Sequence, residues 1–142
     1  MVPHQESAAS GSPHGMPCGV EGTTGESWTD LVRLLREFRD ERDWRQFHTP
    51  KDLAAAIAIE AGELQERFLW KREGEIETLL ATPVGKQAVV DELADVLICS
   101  LLLADRLGVD VGRIVVEKTA HNARKYPVAK AKGTAQKYTE LE

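Results

Sequence analysis

Two pairs of carboxylates, Glu60 with Glu63 and Glu92 with Asp95, each stand three residues apart in the chain. At that spacing on a helix the two members of a pair share one surface. Their surroundings give them chemical interest. On the wheel that carries Glu60 and Glu63, the core arc is formed by Leu53, Ile57, Ala61, Leu64 and Phe68. Glu60 falls within about 20° of that arc's edge by the helical step, and Glu63 lies further round the same side. Glu92 and Asp95 are about 60° apart on their own wheel, with Cys99 between them and Leu103 close by. Four inward-facing acids repel one another and suffer desolvation unless a cation joins them. Donors that are all oxygen, with no His or Cys at metal-ligand spacing, suit Mg²⁺, with Mn²⁺ as a substitute, rather than zinc. A lone helical Glu is usually a solvated side chain. Two pairs on two long helices, both bordering apolar arcs, favour the cation. A di-iron carboxylate bundle needs Glu-x-x-His pairs, and the nearest histidine, His121, stands four residues after Glu117.

The elements that must hold these acids are helices. Thr49-Pro50 and Thr82-Pro83 each place an N-cap hydroxyl before a proline at the first helical position. They predict helices over Pro50–Lys71 and Pro83–Leu107, the second ended by Gly108. An earlier helix is expected over Thr29–Asp43, where Leu31, Leu34, Leu35 and Phe38 recur at helical spacing. Asp110 is placed to cap a further one that reaches Lys125 before Pro127 ends it. Arg72–Ala81 has room for a short extra helical turn around Glu75–Leu80. No segment alternates like a half-buried strand, so the expected fold is all-α, a bundle of four main helices. The helix over Pro83–Leu107 is apolar nearly all round. Val89, Leu93, Val96, Leu97, Leu101 and Ala104 cover one face, and Ile98, Leu102 and Leu103 cover much of the rest. Such a helix is buried on several sides, so self-association is expected.

Composition narrows the function classes. A chain of 142 residues, 42% hydrophobic and 29% charged, suits one globular domain. Residues 1–26, with five glycines and three of the six prolines, read as a disordered tail. Residues 27–126 then form the domain and 127–142 a mobile basic tail. Eight Lys/Arg stand against four Asp/Glu from Arg106 onward, leaving residues 1–105 with a charge of −9. An acidic body argues against nucleic acid as a partner and suits a site that gathers cations. Cys18 and Cys99 make no disulfide framework and read as free thiols in a reducing compartment. The apolar run Val96–Ala104 is too short to span a bilayer. With no secretory signal visible, a cytoplasmic location is expected.

The stretches EAGELQERFLWK (Glu60–Lys71) and DELADVLICSLLL (Asp91–Leu103) resemble the two halves of the MazG-type, all-α nucleoside triphosphate pyrophosphohydrolase signature, E-x-x-E … E-x-x-D. ERDWRQFHTP (Glu41–Pro50), EKTAHNARKYP (Glu117–Pro127) and KYTEL (Lys137–Leu141) resemble the dCTP pyrophosphatase branch. The resemblance implies hydrolysis of a nucleoside triphosphate to monophosphate and pyrophosphate, and a homotetramer whose site is partly built across subunits. By position it assigns Glu60, Glu63, Glu92 and Asp95 to Mg²⁺, which would neutralise the triphosphate and activate the attacking water. Glu63 and Glu92 are then the candidates for orienting or deprotonating that water. Glu66 continues the spacing but falls further from the core arc and reads as solvent-facing.

The same resemblance sends Lys118, Asn122 and Lys125, on one face of the last predicted helix, to the phosphates, with Tyr126 following. Arg124 is turned aside, and a basic helix C-terminus is also what the macrodipole favours. Trp44, His48 and Trp70 match positions that line the nucleobase pocket. Phe47 reads as core, and His48 has a second reading as an aid to the Thr49 cap. Two departures bear on base selectivity. Cys99 stands where relatives carry Tyr, and Leu35 where they carry His. The smaller thiol leaves room for a 5-substituted or larger base, so dCTP and its 5-modified forms are the expected substrates. A dUTP-preferring or broad-range hydrolase is the nearest alternative, and a non-catalytic helical adaptor the alternative of another class.

Overall fold

The computed structural model describes residues 27–140; the N-terminal segment expected to be disordered, with Cys18, lies outside them. Six α-helices follow in order: α1 (Trp28–Asp40), α2 (Pro50–Glu66), α3 (Glu73–Ala81), α4 (Pro83–Leu107), α5 (Val111–Lys125) and α6 (Val128–Ala131), with 3-10 turns at Trp44–Gln46 and Tyr138–Glu140. Among the described residues there is no strand, as expected for an all-α chain.

The helix starts follow the local chemistry. Thr49 and Thr82 accept from the backbone N–H groups of Asp52 and Gly85, each ahead of a proline, and Asp110 accepts from that of Arg113. Ser27 and Asp30 cap α1 reciprocally: the Ser27 hydroxyl accepts from Asp30 N–H while the Asp30 carboxylate accepts from Ser27 N–H. The stop at Gly108, left-handed at φ 65°, lies where expected.

Two helix ends differ from expectation. α1 stops at Asp40 rather than Asp43, and α2 at Glu66 rather than Lys71. In both loops a residue other than glycine takes a left-handed conformation, Asp43 at φ 52° and Trp70 at φ 60°. Neither loop contains a Gly or Pro to announce the break; the chain reverses there so that the next helix packs back. The turn expected near Glu75–Leu80 is the nine-residue α3. The segment after Pro127, expected as a mobile tail, carries α6 and a turn whose Tyr138 packs edge-on against Tyr126, with centroids 6.0 Å apart.

α2 against α4 is the principal packing, with α1 and α3 also on α4. Leu53, Leu101, Leu102 and Ala104 are the fully buried apolar residues at that junction. Beside them Arg39 is only 2% exposed, held by Asp40 at 2.7 Å and Asp105 at 3.1 Å, while Arg36 also reaches Asp105 at 2.5 Å. Among the described residues α5 packs only marginally against the other elements.

Candidate metal centre

The α2–α4 packing brings three of the four acids together. Glu60, Glu63 and Glu92 each offer a carboxylate oxygen within 4.8 Å of the others. Glu92 is buried, Glu60 half-buried and Glu63 exposed. Burial first, then the charges of Glu63, Asp95 and Glu92, raise the Glu60 carboxyl above its usual range. Asp95 is exposed and stands outside the close trio, although its charge acts on Glu60 and on Cys99. Three convergent oxygens with a fourth acid alongside fit a hard divalent cation such as Mg²⁺ or Mn²⁺.

A cation missed in the sequence already touches the trio. Arg67 follows α2 as its C-cap and donates twice to Glu92 Oε1, from Nε at 3.1 Å and from Nη2. With Glu63, Glu66 and Glu92 it lines an open cavity of about 330 Å³. The signal was present: Arg67 stands four residues after Glu63 and seven after Glu60, on the face the acids share. Glu66 is exposed, as expected, at the edge of that cavity. Cys99 is a half-buried free thiol; burial, then the charges of Glu60 and Asp95, raise its pKa.

None of the residues expected to bind base and phosphate lines the acidic cavity. Trp44 and His48 precede α2, ten residues or more before Glu60, which is about 15–20 Å of helix. There Trp44 packs edge-on against Phe38 at 5.9 Å and tilts towards His48 at 6.4 Å. The His48 Nδ1 is buried without a hydrogen-bond partner, and burial, then the charge of Arg39, lowers its pKa. It gives no help to the Thr49 cap, whose acceptor is the threonine hydroxyl. Phe47, expected in the core, is 63% exposed at the end of the 3-10 turn.

Trp70 stands at the acid end of α2 but is 92% exposed. Lys118 and Asn122 are exposed and Lys125 half-buried on α5; with Tyr126 they lie outside the acidic cavity. Lys125 Nζ sits 4.6 Å over the Tyr138 ring instead. A larger cavity of about 420 Å³ opens between α1 and the α4–α5 turn, lined by Trp28, Val32, Arg36 and Asp105 among others. It contains none of the clustered acids.

Residues 55–141 match the MazG-like family. The dCTP pyrophosphatase 1 proteins of Rattus norvegicus and Homo sapiens are each 45% identical over 112 residues, covering 79% of this chain. The chain spans 66% of the length of these curated relatives. The crystal structure of a pyrophosphatase from Archaeoglobus fulgidus superposes with a TM-score of 0.65 and 44% identity, over 70% of this chain and 91% of that one.

Proposed function

The chain belongs to the MazG-like family, and from that premise we propose that it hydrolyses a nucleoside triphosphate to the monophosphate and pyrophosphate. Its substrates are dCTP and 5-modified dCTP, removed before a polymerase incorporates them. The observation that carries this reading is the convergence of Glu60, Glu63 and Glu92 within 4.8 Å of one another. The names of the curated relatives support the choice of dCTP.

Glu60, Glu63 and Glu92 would hold Mg²⁺, with Asp95 as the fourth acid of the set. When bound, the ion neutralises the phosphates and activates water for attack on the α-phosphorus. Glu63, the exposed member of the trio, would orient that water or take its proton; the buried Glu92 is the second candidate. Trp44, His48 and Trp70 receive the base, and Lys118, Asn122, Lys125 and Tyr126 the phosphates. Because α5 and the Trp44 turn line no part of the acidic cavity of their own chain, they serve the acids of a neighbouring copy in a homo-oligomer, a tetramer by the resemblance. Nucleic acid and membrane are not partners on this reading. No helix among the described residues is long and apolar enough to cross a membrane, which is compatible with work in the cytoplasm beside the nucleotide pool.

The test is incubation of the full chain with Mg²⁺ and a panel of canonical and 5-modified nucleoside triphosphates, with products separated by ion-exchange chromatography. Monophosphate is expected fastest from dCTP or 5-methyl-dCTP. Glu63→Gln and Asp95→Asn are each expected to lose about 100-fold or more in rate, with helical circular dichroism retained. Faster turnover of dUTP or purines would keep the chemistry and replace the base assignment. No turnover with Mg²⁺ or Mn²⁺ would overturn the reading in favour of a helical adaptor.

A further inference from the structure

Glu92 is the one buried acid of the trio, at 7% exposure, and a buried carboxylate is costly without a partner cation. Arg67 supplies it. Both donors on one edge of the guanidinium, Nε and Nη2, converge on a single oxygen, Oε1, of an acid that belongs to the metal-binding trio. The Arg67 side chain is 45% exposed against 10% for that of Glu92, so the acid is the packed partner of the pair and the arginine the accessible one. It would leave into the open cavity it shares with Glu63 and Glu66.

Charge decides where a released Arg67 goes. Glu60, Glu63, Glu92 and Asp95 bring four negative charges when ionised, which one divalent cation does not cancel. A triphosphate adds further negative charge beside them. Among the residues lining this cavity, Arg67 is the only one that carries positive charge. A planar guanidinium matches phosphate oxygens as well as it matches a carboxylate.

We propose that Arg67 is a triphosphate-binding residue held in waiting on Glu92. In the metal-free protein it neutralises the buried carboxylate; when a divalent cation takes Glu92, the guanidinium is released and binds the phosphate chain. Arg67 therefore competes with the metal for Glu92 and then assists the substrate. This rests on reading the acidic trio as a metal centre. A static clamp, in which Arg67 stays on Oε1 and orients Glu92 for the metal, predicts the opposite sign for metal affinity.

The experiment compares wild type, Arg67→Gln and Arg67→Lys as full chains. Mn²⁺ affinity is measured without nucleotide by electron paramagnetic resonance. Pyrophosphate affinity is measured by titration calorimetry at saturating Mn²⁺, and circular dichroism reports helix content. Arg67→Gln is expected to bind Mn²⁺ several-fold tighter and pyrophosphate about tenfold weaker, the scale of one charged hydrogen bond. Arg67→Lys, which keeps the charge and loses the fork, is expected to recover part of the pyrophosphate affinity. Mn²⁺ binding in Arg67→Gln that is unchanged or weaker would overturn the proposal, as would unchanged pyrophosphate affinity, even with wild type fully active. Wild-type protein that binds no Mn²⁺ at all would overturn the metal reading itself, and this inference with it.

Discussion

At the scale of single residues, burial decides what each charge does. Asp105 is the clearest case. Burial opposes its charge, and hydrogen bonds from Arg36 and Arg39 outweigh that, holding its carboxyl below the usual range. A carboxylate depressed in the folded state contributes stability that is complete above its unfolded value and lost as pH falls through the folded one. Acid unfolding of the wild type should therefore steepen below about pH 4, and Asp105→Asn should lack that component. The same substitution leaves the buried Arg39 with Asp40 alone and should cost about 3 kcal/mol at neutral pH, read by urea unfolding. At the acidic site, Cys99→Tyr should lower the preference for 5-methyl-dCTP over dCTP by about tenfold, since a phenol fills space that a thiol leaves open. The ratio of kcat/KM for the two nucleotides measures it. The acids themselves were legible because residue type, three-residue spacing and a bordering apolar arc all pointed the same way. Arg67 and Arg39 were not singled out, since an arginine on an acidic or apolar helix face declares itself only once its partner on another helix is known.

At the scale of elements, starts were more legible than stops. A hydroxyl or carboxylate cap acts over three residues and is written locally, as at Thr49, Thr82 and Asp110. The ends of α1 and α2 depend on where the chain must turn to reach its next packing partner, and Asp43 and Trp70 accept a strained left-handed backbone to allow it. Helix identity was likewise clear from periodicity, whereas the distance between the Trp44 turn and the acids needed the actual lie of α2. The start of α4 offers a test in which two local effects oppose each other. Alanine is the better helix former by about 1 kcal/mol over glycine, so propensity alone predicts that Gly85→Ala stabilises. A Cβ there would stand 2.3 Å from the Leu79 carbonyl oxygen and 2.6 Å from its Cδ1. The oxygen is backbone and cannot turn aside. Overpacking should win, with a net loss of about 1–3 kcal/mol and a lower thermal midpoint, whereas a raised midpoint would mean that the α3–α4 corner is free to open.

At the scale of the whole molecule, the chain has less core than its sequence needs. Among the described residues the buried apolar ones are Leu53, Leu101, Leu102 and Ala104, while Val90, Leu93 and Leu97 form an exposed stripe along α4 at helical spacing. Ile114, Val115 and Val116 stand exposed on α5, a helix with little among the described residues to cover it. These surfaces, with the site divided as proposed, favour burial against further copies of the chain. Stability should then depend on concentration, because association draws on the folded state alone. The thermal midpoint should rise by about 2–5 °C for each tenfold increase in protein, and light scattering should give a multiple of the 15.7 kDa chain mass. Leu97→Asp places a charge within the exposed stripe and away from the close acid trio. It should lower the assembled mass, remove the concentration dependence and reduce turnover together, since the acids would lose the α5 and Trp44 groups of a neighbour. Assembled mass lost with turnover intact would show instead that one chain contains a complete site.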